Sequence, residues 1–201
     1  ALDYELEIAA VIGKGGINIK PENAQAYIFG YTIFNDWSAR DVQREEMKIG
    51  LGPAKGKDFA SSLGPVIVTG EALIDRAVRR PGVYDLTMIA RVNGVEMSRG
   101  NFKDIYWSFG EIIARASDNC ELQIGDMIGS GTVGGGCGLE LDKYLKDGDV
   151  VELEASKVGV LRSRVGRAPA PPGLPQWGPA GAAGGAFFIR SHAWFSTSAS
   201  R

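Results

Sequence analysis

Glu5 and Glu7 stand two apart in the run Asp3-Tyr4-Glu5-Leu6-Glu7-Ile8, and Asp36 follows the apolar stretch 27–34. In an extended chain alternate residues share a face and lie about 7 Å apart, so the two glutamates can converge on one cation. Bare carboxylates this close repel, and desolvation raises at least one pKa unless a cation neutralises them. Two glutamates with an aspartate from elsewhere form an all-oxygen set, which suits Mg²⁺, Ca²⁺ or Mn²⁺. The same pattern also describes a half-exposed edge strand with a solvated acidic face. The pair alone does not choose between them.

A second group of polar residues lies in 35–43, where Asp36, Arg40 and Gln43 follow one another closely. In a helix starting there, Arg40 and Gln43 are three apart and share a face. Asp36 or Ser38 can cap that helix, with Asp41 three residues after Ser38 as a weak capping box. The chemical reading is a carboxylate at a strand end with a cation and an amide beside it. The plain alternative is a strand-to-helix turn with a capping Asp and a solvated Arg. Farther along, glycines and prolines make 51–65 a structured loop, in which Lys57 and the hydroxyls of Ser61 and Ser62 can line a pocket.

These residues need elements to hold them. A chain of 201 residues with 44% hydrophobic content can bury one core, so one domain is expected. The net charge of −2 and the lack of a long basic run argue against nucleic acid as a partner. No apolar run approaches the roughly eighteen residues of a membrane span, and no signal-peptide pattern is present. The chain begins at Ala1 rather than Met and enters a strand at once, as a fragment lacking its true N-terminus would. Cys120 and Cys137 lack metal-ligand spacing and are too few for a disulfide scaffold, which suits a reducing cytosol and inert thiols.

Residues 3–12 alternate as a strand with Tyr4, Leu6 and Ile8 on one face, and 27–34 reads as a mostly buried strand rich in aromatic and β-branched residues. Asn93-Gly94 between two apolar segments predicts a hairpin. Asn101 is placed to cap a helix whose Phe102, Ile105, Phe109, Ile112, Ile113 and Ala116 fall near one stripe, as core rather than cofactor contacts. Gly129 to Gly134 satisfies G-x-G-x-x-G after a short strand. A dinucleotide site needs a helix to open directly afterwards, and Gly135-Gly136-Cys137-Gly138 cannot start one readily, so that reading is set aside. A turn at 146–149 and strands at 150–154 and 158–161 complete a β-rich end.

Taken in order, these motifs resemble the fumarylacetoacetate hydrolase family. The matching stretches are 2–9, 28–43, 51–59, 100–107, 130–132 and 138–141, spread over about residues 1–165. Gln43, the 101–107 stretch and Leu139-Glu140 are more similar to the fumarylacetoacetase branch than to the acylpyruvase and decarboxylase branch. The resemblance implies an α+β, strand-dominated fold, a mixed β-sandwich roll, over residues 1–166. It implies that Glu5, Glu7 and Asp36 hold the divalent metal, Mg²⁺ or else Ca²⁺ or Mn²⁺. Arg40, Gln43 and Thr132 would bind substrate, Lys57 would stabilise developing charge, and Glu140 would orient a catalytic His.

The implied reaction is carbon–carbon hydrolysis of a β-diketo acid such as fumarylacetoacetate, as in tyrosine degradation. The runner-up is decarboxylation or isomerisation of a 2-oxo acid, and a third reading is a metal-binding but catalytically incomplete fragment. A small-molecule substrate, a cytoplasmic location and a homodimer are the corresponding expectations. One departure is clear. The family's catalytic His and a further metal-ligand Asp come from a segment ahead of the Glu5–Glu7 strand, and residues 1–191 contain no His. His192 lies in the tail 167–201, a low-complexity stretch expected to be disordered or loosely docked, and no role is assigned to it. Slow turnover with intact metal binding is the resulting expectation.

Overall fold

The computed structural model describes residues 1–167 and 187–194. Three antiparallel sheets carry the fold. The one that matters most for function is built on β2 (Leu6–Ile12), whose seven residues are all buried. It lies between β3 (Ile28–Asp36) and β8 (Met127–Gly129), and β5 (Ser61–Leu63) completes the sheet beyond β3. The half-exposed edge strand is therefore not what forms.

A small ribbon pairs β1 (Leu2–Asp3) with β4 (Ser38–Ala39), setting Asp3 against Ser38. The segment read as one strand over 3–12 is thus broken at Tyr4-Glu5. The break lets Asp3 and Glu5 approach the residues after β3 from two directions. β4 also corrects the expected helix cap. It holds Ser38 and Ala39 extended, so α1 (Arg40–Glu46) begins at Arg40 with Ala39 as an N-cap that makes no side-chain bond. Ser38 instead donates its hydroxyl to the Asp36 carbonyl at 3.0 Å. Asp36 is left free for other work.

The third sheet contains β6 (Thr87–Val92) and β7 (Val95–Asn101), joined by the Asn93-Gly94 turn, with φ of 52° and 78° at its two residues. Both positive values are what a type I′ turn requires, and Asn and Gly tolerate them best. Beside β6 lie β9 (Val150–Ala155) and then β10 (Gly159–Arg167), which runs past the expected 158–161 and pairs with β11 (Phe187–Trp194). Residues 168–186 and 195–201 of the expected tail lie outside the described residues.

Leu6, Ile8, Ala10, Tyr31 and Ile33 from one sheet form a single buried cluster with Met88, Ala90, Leu153 and Leu161 from the other. Two sheets closing their apolar faces on one core make a sandwich. The alternation that buries Leu6 and Ile8 here turns Glu7 to the opposite side of β2.

The helix expected from Asn101 divides in two. Asn101 caps only a 3₁₀ turn, Phe102–Asp104, accepting from the Lys103 amide. The longer helix α2 (Phe109–Ala116) starts at Ser108, which forms a full capping box with Glu111. That box satisfies two otherwise orphaned donors, so it outcompetes continuation from Asn101. The glycine-rich segment after β8 opens no long helix. Only the four-residue α3 (Gly138–Leu141) follows, which removes the structural basis for a dinucleotide site. Among the described residues no helix is long and apolar enough to cross a membrane.

Candidate active site

Register brings the first two carboxylates together. Leu6 pairs with Asn35 across β2 and β3, so the next step sets Glu5 opposite Asp36. The Asn35 side chain fixes the break in the chain by accepting from the Glu5 amide at 2.9 Å. Glu7 lies two residues along from Glu5, and one oxygen each from Glu5, Glu7 and Asp36 fall within 4.8 Å of one another.

Lys57 reaches in from the 51–65 loop. Its Nζ stands 2.7 Å from Glu5 Oε1 and 3.1 Å from Asp36 Oδ2. Arg40, 5% exposed, works from the first turn of α1. Its Nε donates to Asp3 Oδ2 at 2.8 Å and its Nη1 to Gln43 Oε1 at 2.9 Å. Its Nη2 stands 2.9 Å from Glu5 Oε1 as an ion pair, off the line of a hydrogen bond. Gln43 therefore has its oxygen engaged and its NH₂ left to donate.

Asp3 was not singled out from the sequence, although it is fully buried and ties the region together. Besides Arg40 it accepts from the amides of Tyr4, Gly138 and Leu139 at 2.8, 2.7 and 3.0 Å. The only sequence signal was its place on the same alternating face as Glu5 and Glu7. Its function here is to hold Arg40 and the start of α3 in place.

The electrostatics follow from crowding. Burial pushes the Glu7 carboxyl up to about 9, and the adjacent Glu5 and Asp36 charges add to this. Burial works the same way on Glu5, but Lys57 and Arg40 outweigh it and hold Glu5 below the usual range. Asp36 is raised, chiefly by burial, with Lys57 opposing. Among the described residues, Asp3, Glu5, Glu7 and Asp36 face only Arg40 and Lys57, so two negative charges would stay uncompensated there with every carboxylate ionised.

A divalent cation matches that deficit, and the all-oxygen donors match a hard metal. The chain also leaves room for the ligands. A Cβ on Gly129 would lie 2.6 Å from Glu7 Oε2, so the glycine keeps Glu7 where it is. The Gly131 amide then donates to the same oxygen at 3.0 Å. The glycine-rich segment that resembled a nucleotide loop thus cradles a carboxylate instead.

The two remaining candidates stand apart from this cluster. Thr132 is half-buried on the loop that carries Gly131 and lines a cavity of about 300 Å³ beside it. Glu140 is exposed on α3, accepting from the Gly135 amide at 3.1 Å and from the Cys137 thiol at 3.4 Å. Burial pushes the Cys137 thiol up, which disfavours a reactive thiolate.

Residues 1–166 match the family model described as fumarylacetoacetate (FAA) hydrolase, C-terminal. The chain is 37% identical over 166 residues to oxaloacetate tautomerase YisK of Bacillus subtilis (strain 168), covering 82% of this chain and 52% of that protein. To the fumarylacetoacetase of Oryza sativa subsp. japonica it is 36% identical over 199 residues, covering 77% and 46%. It spans about half the length of these curated relatives. Among solved structures, it is similar to a fumarylacetoacetate hydrolase from Exiguobacterium antarcticum, with a TM-score of 0.69 and 36% identity over 80% of this chain and 55% of that one. A fumarylpyruvate hydrolase from Pseudomonas aeruginosa, solved with Mn²⁺ and pyruvate, gives a TM-score of 0.68 and 25% identity over 80% and 64%.

Proposed function

The chain belongs to the fumarylacetoacetate hydrolase family, carrying its C-terminal region over residues 1–166, and from that membership we propose that it serves as a metal-dependent hydrolase of carbon–carbon bonds in β-diketo acids, fumarylacetoacetate among them. The observation that carries the proposal is the convergence of Glu5, Glu7 and Asp36 within 4.8 Å, with Lys57 between two of them. Those three carboxylates would hold Mg²⁺ or Mn²⁺. A cation bound there supplies Lewis acidity toward a substrate oxygen.

The chain's own groups do the rest. Lys57 brings an ammonium to the edge of the carboxylate cluster, where it can meet charge developing on a substrate oxygen. Arg40 offers its Nη2, which lacks a hydrogen-bond partner, and Gln43 its NH₂. Thr132 presents a hydroxyl at the neighbouring loop. Water activation requires a base, and in this reading Glu140 would orient an imidazole rather than act alone. Fixed donors of this kind contribute about 3–4 kcal/mol each to lowering a barrier.

A second reading, isomerisation, tautomerisation or decarboxylation of a 2-oxo acid, draws on one observation. One relative, at 37% identity, is named a tautomerase, and proton transfer beside a carbonyl needs a base and an electrophile but no activated water. The tautomerase relative acts on oxaloacetate by its name.

Fumarylacetoacetate should be followed by ultraviolet absorbance with Mg²⁺ and identification of products, alongside deuterium exchange into oxaloacetate. Fumarate and acetoacetate as products support the hydrolase. Exchange without cleavage favours the second reading, and metal binding with neither reaction identifies a catalytically incomplete chain. A cytoplasmic location and a homodimer belong to the same proposal. Fractionation and light scattering test them.

A further inference from the structure

The aromatic residues of the 101–107 motif do not all enter the core. Tyr106 is 80% and Trp107 58% exposed, and their rings meet edge to face with centroids 4.9 Å apart. Their backbone is pinned from behind. The Arg80 guanidinium donates to the Ile105 carbonyl at 2.6 Å, to the Tyr106 carbonyl, and to Glu111 Oε2 at 2.9 Å. An exposed aromatic pair on a backbone held this way is a presented surface rather than a loose loop tip.

Tyr106 and Trp107 form one wall of the cavity of about 300 Å³ that Thr132 also lines. Phe102, Ile105 and Ile112 make it largely apolar. The glycine-rich loop separates it from the carboxylates, with Gly131 donating to Glu7 at 3.0 Å. A Cβ on Gly131 or Gly134 would meet nothing within 4 Å, so the space along that loop is open. Gly131 is the link between the two, lining the cavity while its amide reaches Glu7. No Lys or Arg lines it, and Asp104 is its one charged residue. Among the described residues Asp104 makes no ion pair.

We propose that this cavity takes the acyl end of the substrate, and that Tyr106, Trp107 and Asp104 select a neutral, apolar acyl end over one bearing a second carboxylate. The proposal rests on the reading of the carboxylate cluster as the metal and substrate site. A flat unsaturated or aromatic group gains from burial against Trp107 and Ile105. A terminal carboxylate loses hydration there, finds no cation and faces Asp104. Fumarylacetoacetate carries a carboxylate at both ends, so on this view it is not the preferred member of its class.

The test is calorimetric binding to the Mg²⁺-loaded chain of three probes: pyruvate, 2,4-dioxo-4-phenylbutanoate, and the same compound with a para-carboxylate on its ring. The phenyl compound should bind at least about ten-fold more tightly than either of the others. Trp107→Ala should remove that advantage and leave pyruvate binding unchanged. Asp104→Asn should strengthen binding of the para-carboxylate compound alone. Pyruvate binding without a phenyl advantage, an advantage that survives Trp107→Ala, or equal binding of both ring compounds would each overturn the selection. Failure of all three to bind would instead overturn the reading of the carboxylate cluster, and the selection with it.

Discussion

Arg40 Nε donates to Asp3 Oδ2 at 2.8 Å, with the arginine side chain 4% and the aspartate 0% exposed. Two buried charges make sense only if each stays fully satisfied. Asp3 meets that condition with three further backbone donors; Arg40 donates also to Gln43 and pairs its charge with Glu5, and only its Nη2 lacks a hydrogen-bond partner. The pair therefore links the β1–β4 ribbon, α1 and α3 to the carboxylate cluster.

Removing one partner leaves the other buried and uncompensated. Asp3→Asn should lower stability by about 3–5 kcal/mol, the scale for breaking a buried pair. Urea denaturation monitored by circular dichroism measures it. A loss below about 1 kcal/mol would mean that the pair is solvated in solution.

Gly129→Ala isolates the role of the glycine-rich loop. The added Cβ would meet Glu7 Oε2 at 2.6 Å and the Phe34 ring at 3.3 Å. Crowding of this kind costs about 1–3 kcal/mol. Part of that should appear as weaker metal binding, about ten-fold. Competition against a fluorescent chelator reads it, and unchanged affinity would show that Glu7 has room to move.

The convergence of the three carboxylates was legible because they obey a simple period. Glu5 and Glu7 share a face by alternation, and Asp36 sits where the apolar pattern of β3 ends. Asn93-Gly94 was equally plain, since few other pairs accept two positive φ values. Asp3 was less visible because its value lies in the β1–β4 pairing and the α3 amides, contacts far apart in sequence. The Asp36 and Ser38 caps failed for the same reason: pairing with β1 kept Ser38 extended. The Ser108–Glu111 capping box was legible but lay inside an apolar stripe that read as one longer helix. Hydrophobic period alone does not show where a 3₁₀ turn ends and an α-helix begins.

That capping box sets an acid limit. Ser108 hydrogen bonds and the Arg80 guanidinium hold Glu111 well down, at about 2. A depressed carboxyl stabilises the fold above its unfolded pKa, here 4.5, and loses that contribution as pH falls toward 2. The thermal midpoint of the wild type should fall more steeply through this window than that of Glu111→Gln. Parallel curves would show that the box does not persist in solution.

The central claim is that Glu5, Glu7 and Asp36 hold one divalent cation, and Mn²⁺ titration by electron paramagnetic resonance tests it most directly. The free-ion signal should disappear up to one equivalent per chain, and Glu7→Gln or Asp36→Asn should weaken binding at least about ten-fold. Loss of no free signal, or the same stoichiometry and affinity in both variants, would contradict it.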